Sequence, residues 1–362
     1  MKDCLSPVAM KPASFLVRLL PGKDLAPLEA KQLFHKIFRG QIPESQIKSA
    51  LVLLAKKGET AQEVLECLHA LQSLEKPARL FIPGLMDTCG TGGDGKQSLN
   101  ISTLAALVIA GAGGKVAKHG NRGISSRCGS SDLMEALGVK LDAPKSRMIE
   151  SIRRFGIGYF HAPFYHPVFS KMQALRKKIK TRTIFNLLGP LANPIRVSAQ
   201  LVGVSSPRTL KLYAGVLQAG QSRSSLVCHS KDGLDEISTQ TSTDVAKISK
   251  GQVIWGRIEP RRLGFRASKE GIPKVRSISE SRNMAIKLLQ NKLKGPARDT
   301  VILNAAAGLW ISGKAKGLRE GIEMADHSVR SGNAYRALLG LREISRRPFA
   351  ALAEGRKKRS SR

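Results

Sequence analysis

Aromatic residues are scarce in this sequence, at 5% of 362 residues, with two tryptophans and four tyrosines, so its core must be aliphatic. Long hydrophobic runs are missing too. The longest candidate, Ile101 to Gly113, carries polar Ser102 and Thr103 at its start and falls short of the ~18 apolar residues that a membrane span needs. The first thirteen residues hold charges and prolines but no signal-peptide core. The cysteines, Cys4, Cys67, Cys89, Cys128 and Cys228, are odd in number, scattered and without a C-x-x-C pair. That argues against a disulfide framework and against a zinc site, and the expectation is a cytoplasmic protein with reduced thiols. Acids are the last shortage: 27 Asp+Glu stand against 60 Lys+Arg, a net charge of +33. Such a balance favours anionic partners such as phosphorylated substrates, acidic lipid or nucleic acid. A lineage with a generally basic proteome would give the same charge without any such partner.

What is present falls into two styles. From Ser14 to about Leu80 apolar residues recur at helical spacing, as in Leu51, Leu53, Leu54 and in Val64, Leu65, Leu68, Leu71. Pro83-Gly84 ends that pattern. Beyond it, short apolar stretches alternate with helical ones. Val116-Ala117, Gln200 to Val204 and Ser225 to Cys228 read as buried strands. Leu104 to Ala110, Asp132 to Leu137, Arg208 to Leu217, Thr300 to Trp310 and Leu318 to Ile322 read as helices. Gly251 to Arg276 is less regular, a mixture of strand and loop. The alternation argues for α/β architecture.

The strongest local signal is Asp87-Thr88-Cys89-Gly90-Thr91-Gly92-Gly93-Asp94-Gly95-Lys96. It matches G-x-G-x-x-G at Gly90, Gly92 and Gly95, but a dinucleotide site also needs an acid about 20 residues on, and Gly95 to Ser131 contains no Asp or Glu. It nearly matches the P-loop through Gly90, Gly95 and Lys96, but Gln97 stands where a magnesium-binding hydroxyl is needed. Both nucleotide readings fail, while their shared physics survives. Glycines let backbone amides approach an anion, and Asn100-Ile101-Ser102-Thr103 opens a helix whose N-terminus attracts phosphate. The acid-free stretch supplies Lys96, Lys115, Lys118, His119, Arg122 and Arg127, as a phosphate plus a pyrophosphate would require. The competing reading is a glycine-rich turn beside a solvated basic face. Far downstream, Asp232-Gly233-Leu234-Asp235-Glu236 packs three carboxylates behind an apparent strand. Alone it reads as an acidic turn; beside a phosphate cradle it suits magnesium.

Together with Lys118-His119-Gly120-Asn121-Arg122 and the run from Arg182 to Leu191, these segments resemble the anthranilate phosphoribosyltransferases, which join anthranilate to phosphoribosyl pyrophosphate in tryptophan biosynthesis. The resemblance runs from about Ser14 to about Leu341. It implies a small all-helical N-terminal domain beside a larger α/β domain with a central, mainly parallel sheet flanked by helices. The implied division is a tail over 1–13, a helical domain over 14–80 joined by about 163–190, an α/β domain over 81–162 and 191–345, and a basic tail over 346–362. It also implies a homodimer without membrane attachment.

Position by position, Gly90, Gly93, Asp94, Ser98, Asn100, Ile101, Ser102 and Thr103 would contact phosphoribosyl pyrophosphate. Lys118, His119, Gly120, Asn121, Arg122, Gly123, Ile124, Ser125, Ser126 and Ser130 would continue that site. Gly90, Asn121 and Arg176 would bind anthranilate, with the Arg176 guanidinium gripping its carboxylate. Ser102, Asp235 and Glu236 would hold Mg2+, as two ions. No residue is singled out as a catalytic acid or base; His119 and His166 read as structural.

The chain departs from the family at Ser277-Ile278-Ser279-Glu280-Ser281-Arg282-Asn283, where related sequences carry a Gly-Gly-Asp-x-x-Glu-Asn turn; only Asn283 is kept and an acid has become Arg282. Two rival functions remain. One is a nucleic-acid-binding, non-biosynthetic relative, to which the charge lends weight. The other is a pyrimidine nucleoside phosphorylase of the same fold, against which Gly120-Asn121-Arg122 after Lys118-His119 argues.

Overall fold

The helical periodicity of the first eighty residues folds as α1 (Pro12–Leu19), α2 (Pro27–Phe38), α3 (Glu44–Lys57) and α4 (Ala61–Leu74) in the computed structural model, which describes residues 12–123, 127–168, 172, 178–179 and 182–348. Start signals explain α4. Thr60 accepts the Glu63 amide at 3.2 Å and Glu63 accepts the Thr60 amide at 2.9 Å, a reciprocal cap. The same buried carboxylate takes the Leu25 amide ahead of α2 and the Lys57 ammonium at the end of α3, each at 2.9 Å. One acid thus ties three helices, and removing one partner of such a buried pair costs about 3–5 kcal/mol.

The rest of the chain is built on a seven-stranded sheet. Its members are β2 (Leu85–Gly90), β3 (Lys115–Gly120), β4 (Ile157–His161), β6 (Ala199–Gly203), β7 (Ser224–Ser230), β8 (Thr243–Ser249) and β9 (Gln252–Ile258). Their order is β4-β3-β2-β6-β7-β8-β9; the first five run parallel and the last two add an antiparallel hairpin. A small parallel pair, β1 (Ala78–Arg79) with β5 (Ile195–Arg196), joins the end of the helical region to the segment entering β6. β2 is buried from Leu85 to Cys89, as a central parallel strand covered on both faces must be.

Two apolar cores result. One face of the sheet carries α5 (Ile101–Gly111), α12 (Pro296–Ile311), α13 (Leu318–Arg330) and α14 (Asn333–Arg346), packed through Leu104, Leu107, Val301 and Leu341. On the other face, α10 (Pro207–Ala219) and the short α9 (Ile184–Leu188) join the helical bundle in one cluster that includes Phe34, Leu54, Phe185, Tyr213 and strand residues Val202 and Val227. The remaining helices are α6 (Ser130–Ala136), α7 (Lys145–Phe155), α8 (Ala162–Tyr165) and α11 (Ile278–Leu289). The irregular stretch after Gly251 contains β9, a 3-10 turn at Pro260–Leu263 and a bridge from Lys274 to Ser98. Among the described residues no helix is long and apolar enough to cross a membrane.

The fold class read from the sequence holds: a helical N-terminal part and a larger α/β part with a mostly parallel central sheet. It aligns the carboxyl ends of β2, β3, β6 and β7, the edge at which parallel α/β sheets place their ligands.

Candidate active site

The glycine loop leaves β2 at that edge and runs to Asn100, where α5 begins. Register pairs Gly90 with Gly203 and Gly203 with Cys228, so the ends of β2, β6 and β7 lie side by side. The acidic segment after β7 folds back over them. A Cβ on Gly203 would sit 1.6 Å from the Asp235 carbonyl oxygen, and one on Gly90 would sit 2.5 Å from Asp235 Oδ2. Bare backbone at both positions is what lets the acids settle on the strand ends.

Two hydrogen bonds define the centre. The Gly92 amide donates to Asp235 Oδ2 at 2.7 Å, and the Ser102 amide, in the first turn of α5, donates to Glu236 Oε1 at 3.1 Å. Each carboxylate therefore occupies a backbone donor of the kind a phosphate oxygen uses. Burial raises the pKa of Asp235, with the Asp94 charge adding to it, and raises that of Glu236, with the Asp235 charge adding to it. Both shifts come first from burial; the Lys118 charge, beside Glu236, opposes that of Glu236. Among the described residues no three acidic, histidine or cysteine side chains form a metal cage. Two carboxylates still fit Mg2+, which completes its shell with water and phosphate oxygens.

Lys118, on β3, is 2% exposed and donates from Nζ to the His119 carbonyl at 2.9 Å. Its ammonium lies close enough to Asp87 and to Glu236 to favour their charged forms. Asp87, wholly buried in β2, accepts the Thr88 amide (2.8 Å), the His119 amide (3.2 Å) and Asn193 Nδ2 (2.9 Å); burial pushes its pKa up to about 6. His119 Nδ1 meets the Gly189 carbonyl at 3.1 Å, and its ring packs edge-on against His166 with centroids 5.3 Å apart. Burial drives the His119 pKa well down, so its imidazole is neutral. His166 in turn bridges Glu75 (2.7 Å) and the Ala192 carbonyl (2.6 Å), a link between the end of α4 and the chain leading to β5.

The loop after β3 is stitched from outside. Asp132 accepts the Gly123 and Gly129 amides, both at 2.9 Å, and Arg122 Nη1 at 3.0 Å, while Glu135 takes the same guanidinium. Arg122 is thus paired with acids of α6. Ser130 Oγ accepts the Asn121 amide at 3.1 Å and contacts Tyr159 Oη. Asn100 Nδ2 donates to the Cys128 carbonyl at 3.1 Å, tying the start of α5 to this loop.

Most of the site residues expected from the sequence lie on these segments. Asp235 and Glu236 meet the glycine loop and α5, with Lys118 beside Glu236. Ile101 is buried in the core, so any substrate contact there uses backbone. Thr103 is buried on α5, Ser98 bridges Lys274, and Gly120 packs beneath Tyr159 Oη and Ser130 Oγ. Ile124, Ser125, Ser126 and Arg176 lie outside the described residues. Sequence reasoning missed Arg182: a Cβ on Gly93 would sit 3.2 Å from its Nη1, so this guanidinium covers the glycine loop from a segment some ninety residues away in the chain. It missed Asp87 and Asn193 as well, whose polarity hid their place under the site.

A glycine loop and paired acids at the end of a mostly parallel sheet, beside a helical bundle, are the architecture of a class of glycosyltransferases. The helical-bundle model of the glycosyl transferase family matches residues 13–74, and the family's a/b-domain model matches residues 83–335. The anthranilate phosphoribosyltransferase of Desulfosudis oleivorans is 39% identical over 331 residues, spanning 91% of this chain and 98% of its own. That of Persephonella marina is 39% identical over 336 residues, spanning 92% and 98%. The crystal structure of the Thermus thermophilus enzyme superposes with a TM-score of 0.85 at 36% identity, covering 92% of this chain and 99% of its own. The Saccharomyces cerevisiae enzyme in complex with PRPP and Mg shares the fold, with a TM-score of 0.83 at 24% identity over 92% and 97% of the two chains. The chain belongs to the anthranilate phosphoribosyltransferase family. Neither a pyrimidine nucleoside phosphorylase nor a nucleic-acid-binding protein is among these relatives.

Proposed function

We propose that this chain transfers the phosphoribosyl group of phosphoribosyl pyrophosphate to the amino nitrogen of anthranilate, giving N-(5-phosphoribosyl)anthranilate and pyrophosphate. The observation that carries this reading is the pair of contacts from Gly92 to Asp235 and from Ser102 to Glu236. They gather phosphate-binding amides and cation-binding acids at one point.

The bond between the anomeric carbon and pyrophosphate breaks as the bond to nitrogen forms, and the amine loses its proton to water. The glycine-loop amides and the α5 N-terminus hold the phosphorylated substrate. Lys118 compensates negative charge from beneath, and Arg182 closes over Gly93. Asp235 and Glu236, with Ser102, would hold Mg2+, in two ions, whose charge offsets that of the departing pyrophosphate. Gly90, Asn121 and Arg176 form the anthranilate subsite. The neutral, buried His119 cannot serve as a cationic acid. An aniline nitrogen is already uncharged and needs no strong base, so the rate gain comes from positioning and charge stabilisation.

A homodimer is supported by Val17 (69% exposed) on α1, Leu20 (68%) just beyond it and Leu28 (55%) on α2, large apolar side chains open to solvent. Light scattering at twice the monomer mass is the expected result. A cytoplasmic setting is supported by the described cysteines, among which no disulfide forms.

The deciding assay follows anthranilate fluorescence with phosphoribosyl pyrophosphate and Mg2+, omitting each in turn. Loss of signal only in the complete mixture supports the reading. Phosphorolysis of uridine or thymidine, or salt-sensitive DNA binding with no anthranilate consumed, would replace it.

A further inference from the structure

A cavity of about 360 Å³, sharing no lining residue with the glycine loop, lies between α11, α14 and the end of α6. It is larger than packing voids and at the lower end of small-molecule sites. Leu137, Ile286, Leu338 and Leu339 give it an apolar floor, with Leu338 and Leu137 buried, and the Tyr335 ring forms part of the wall. Three cations line it: Arg282 and Lys287 from α11 and Arg342 from α14. Among the described residues the lining includes no carboxylate. Arg282 Nε donates to the Ala136 carbonyl at 3.0 Å, which anchors the guanidinium across to α6. Arg282 belongs to the 277–283 segment in which this chain departs from its family's pattern.

The three cations have no counter-charge among the described lining residues, and the floor beneath them is apolar. One ligand chemistry suits both: an aromatic or aliphatic body for the floor and one carboxylate for the rim. We propose that this cavity is a second binding site, separate from the substrate site, for a small amphipathic carboxylate. A phosphate alone would satisfy the cations and leave the floor exposed. A neutral hydrophobe would fill the floor and leave the cations unpaired. The carboxylate takes charge-assisted hydrogen bonds from Arg282 and Arg342 while its ring lies on Leu338 and Ile286.

The test uses the full chain and 4-phenylbutyrate as probe, with binding followed by saturation-transfer NMR. A Kd of about 1 mM is expected, the scale for a fragment of this size. Arg282→Glu and Arg342→Glu should each weaken binding about tenfold or more, as loss of a charge-assisted contact does. Lys48→Glu, an equal charge change on exposed α3, should not. The neutral 4-phenyl-1-butanol should bind more weakly than the acid. Arg176→Ala, which removes the guanidinium of the proposed anthranilate subsite, should leave probe binding unchanged. Absence of saturable binding overturns the proposal. So do equal binding of acid and alcohol, indifference to both arginine variants, or loss of binding in Arg176→Ala, which would move the probe to the substrate site.

Discussion

Asp235 Oδ2 accepts the Gly92 amide at 2.7 Å, so the acid that would hold a cation in the proposed function occupies a donor that would hold phosphate there. In the proposed function, substrate and metal would replace this contact. Removing the charge while keeping the shape separates these roles. Asp235→Asn with Glu236→Gln should lower kcat about 10²–10³-fold, the scale for a lost electrostatic element. Thermal melting should stay near that of the parent or rise, because two buried acids become neutral. Turnover at the parental rate across a Mg2+ titration would remove the metal assignment.

Gly203 tests the placement of the acids without touching them. A Cβ there meets the Asp235 carbonyl oxygen at 1.6 Å, and backbone cannot yield as a flexible side chain can. Gly203→Ala should shift the 232–236 segment and lower kcat/KM about 10²-fold, the effect of a displacement near 1 Å. Circular dichroism should still report a folded protein. A steady-state assay showing parental kcat/KM would mean that the loop adjusts freely.

Arg182 reaches the loop from the opposite side, with Nη1 3.2 Å from where a Gly93 Cβ would be. In the proposed function its guanidinium would meet a phosphoryl oxygen. Arg182→Ala should raise the KM for phosphoribosyl pyrophosphate about tenfold, and Arg182→Lys less, since lysine keeps the charge and loses the fork. Initial rates at varied phosphoribosyl pyrophosphate decide it; a change confined to the anthranilate KM would reassign the residue.

These residues also show what the sequence makes legible. The glycine loop is readable because its glycines, its bases and the helix start are consecutive, and Asp235-Glu236 because two acids stand out in a basic chain. Strand β2 is not readable: Asp87 and Thr88 interrupt its apolar run, and only the fold supplies the partners that let them be buried, Asn193 and the neighbouring Lys118 for Asp87 and the Ser102 carbonyl for Thr88. Helix α7 hides similarly, since its buried Met148 and Ile152 are outnumbered by charges and its buried Arg147 donates to the distant Pro348 carbonyl. Arg182 is legible as the start of the 182–191 run but not as a site residue, for a third reason. Contact with Gly93 is created by the crossing back to the sheet edge and leaves no local pattern.

Arg176 carries the aromatic subsite in the proposed function. A guanidinium on the anthranilate carboxylate forms a charge-assisted pair, worth about 1.5–3 kcal/mol. Arg176→Ala should raise the anthranilate KM about ten- to hundredfold while the KM for phosphoribosyl pyrophosphate stays within a factor of two or so. The opposite pattern in initial-rate measurements would place Arg176 at the phosphate end.

Asp87 gives the pH dependence of stability. Its folded pKa of about 6 lies above the ordinary carboxylate value of 3.8. The folded protein therefore holds the proton more tightly than the unfolded chain. The stabilisation is complete below the unfolded value and is lost as pH rises through about 6. At about 1.36 kcal/mol per unit, the span amounts to roughly 3 kcal/mol. Asp87→Asn cannot ionise and lacks this dependence, although it forfeits an acceptor and leaves Lys118 less well compensated. Urea unfolding of parent and variant between pH 4 and 7 should show the parent losing its advantage, or falling further behind, as pH rises. An advantage that grows with pH would mean that Lys118 and Asn193 outweigh burial and that Asp87 sits ionised well below neutrality.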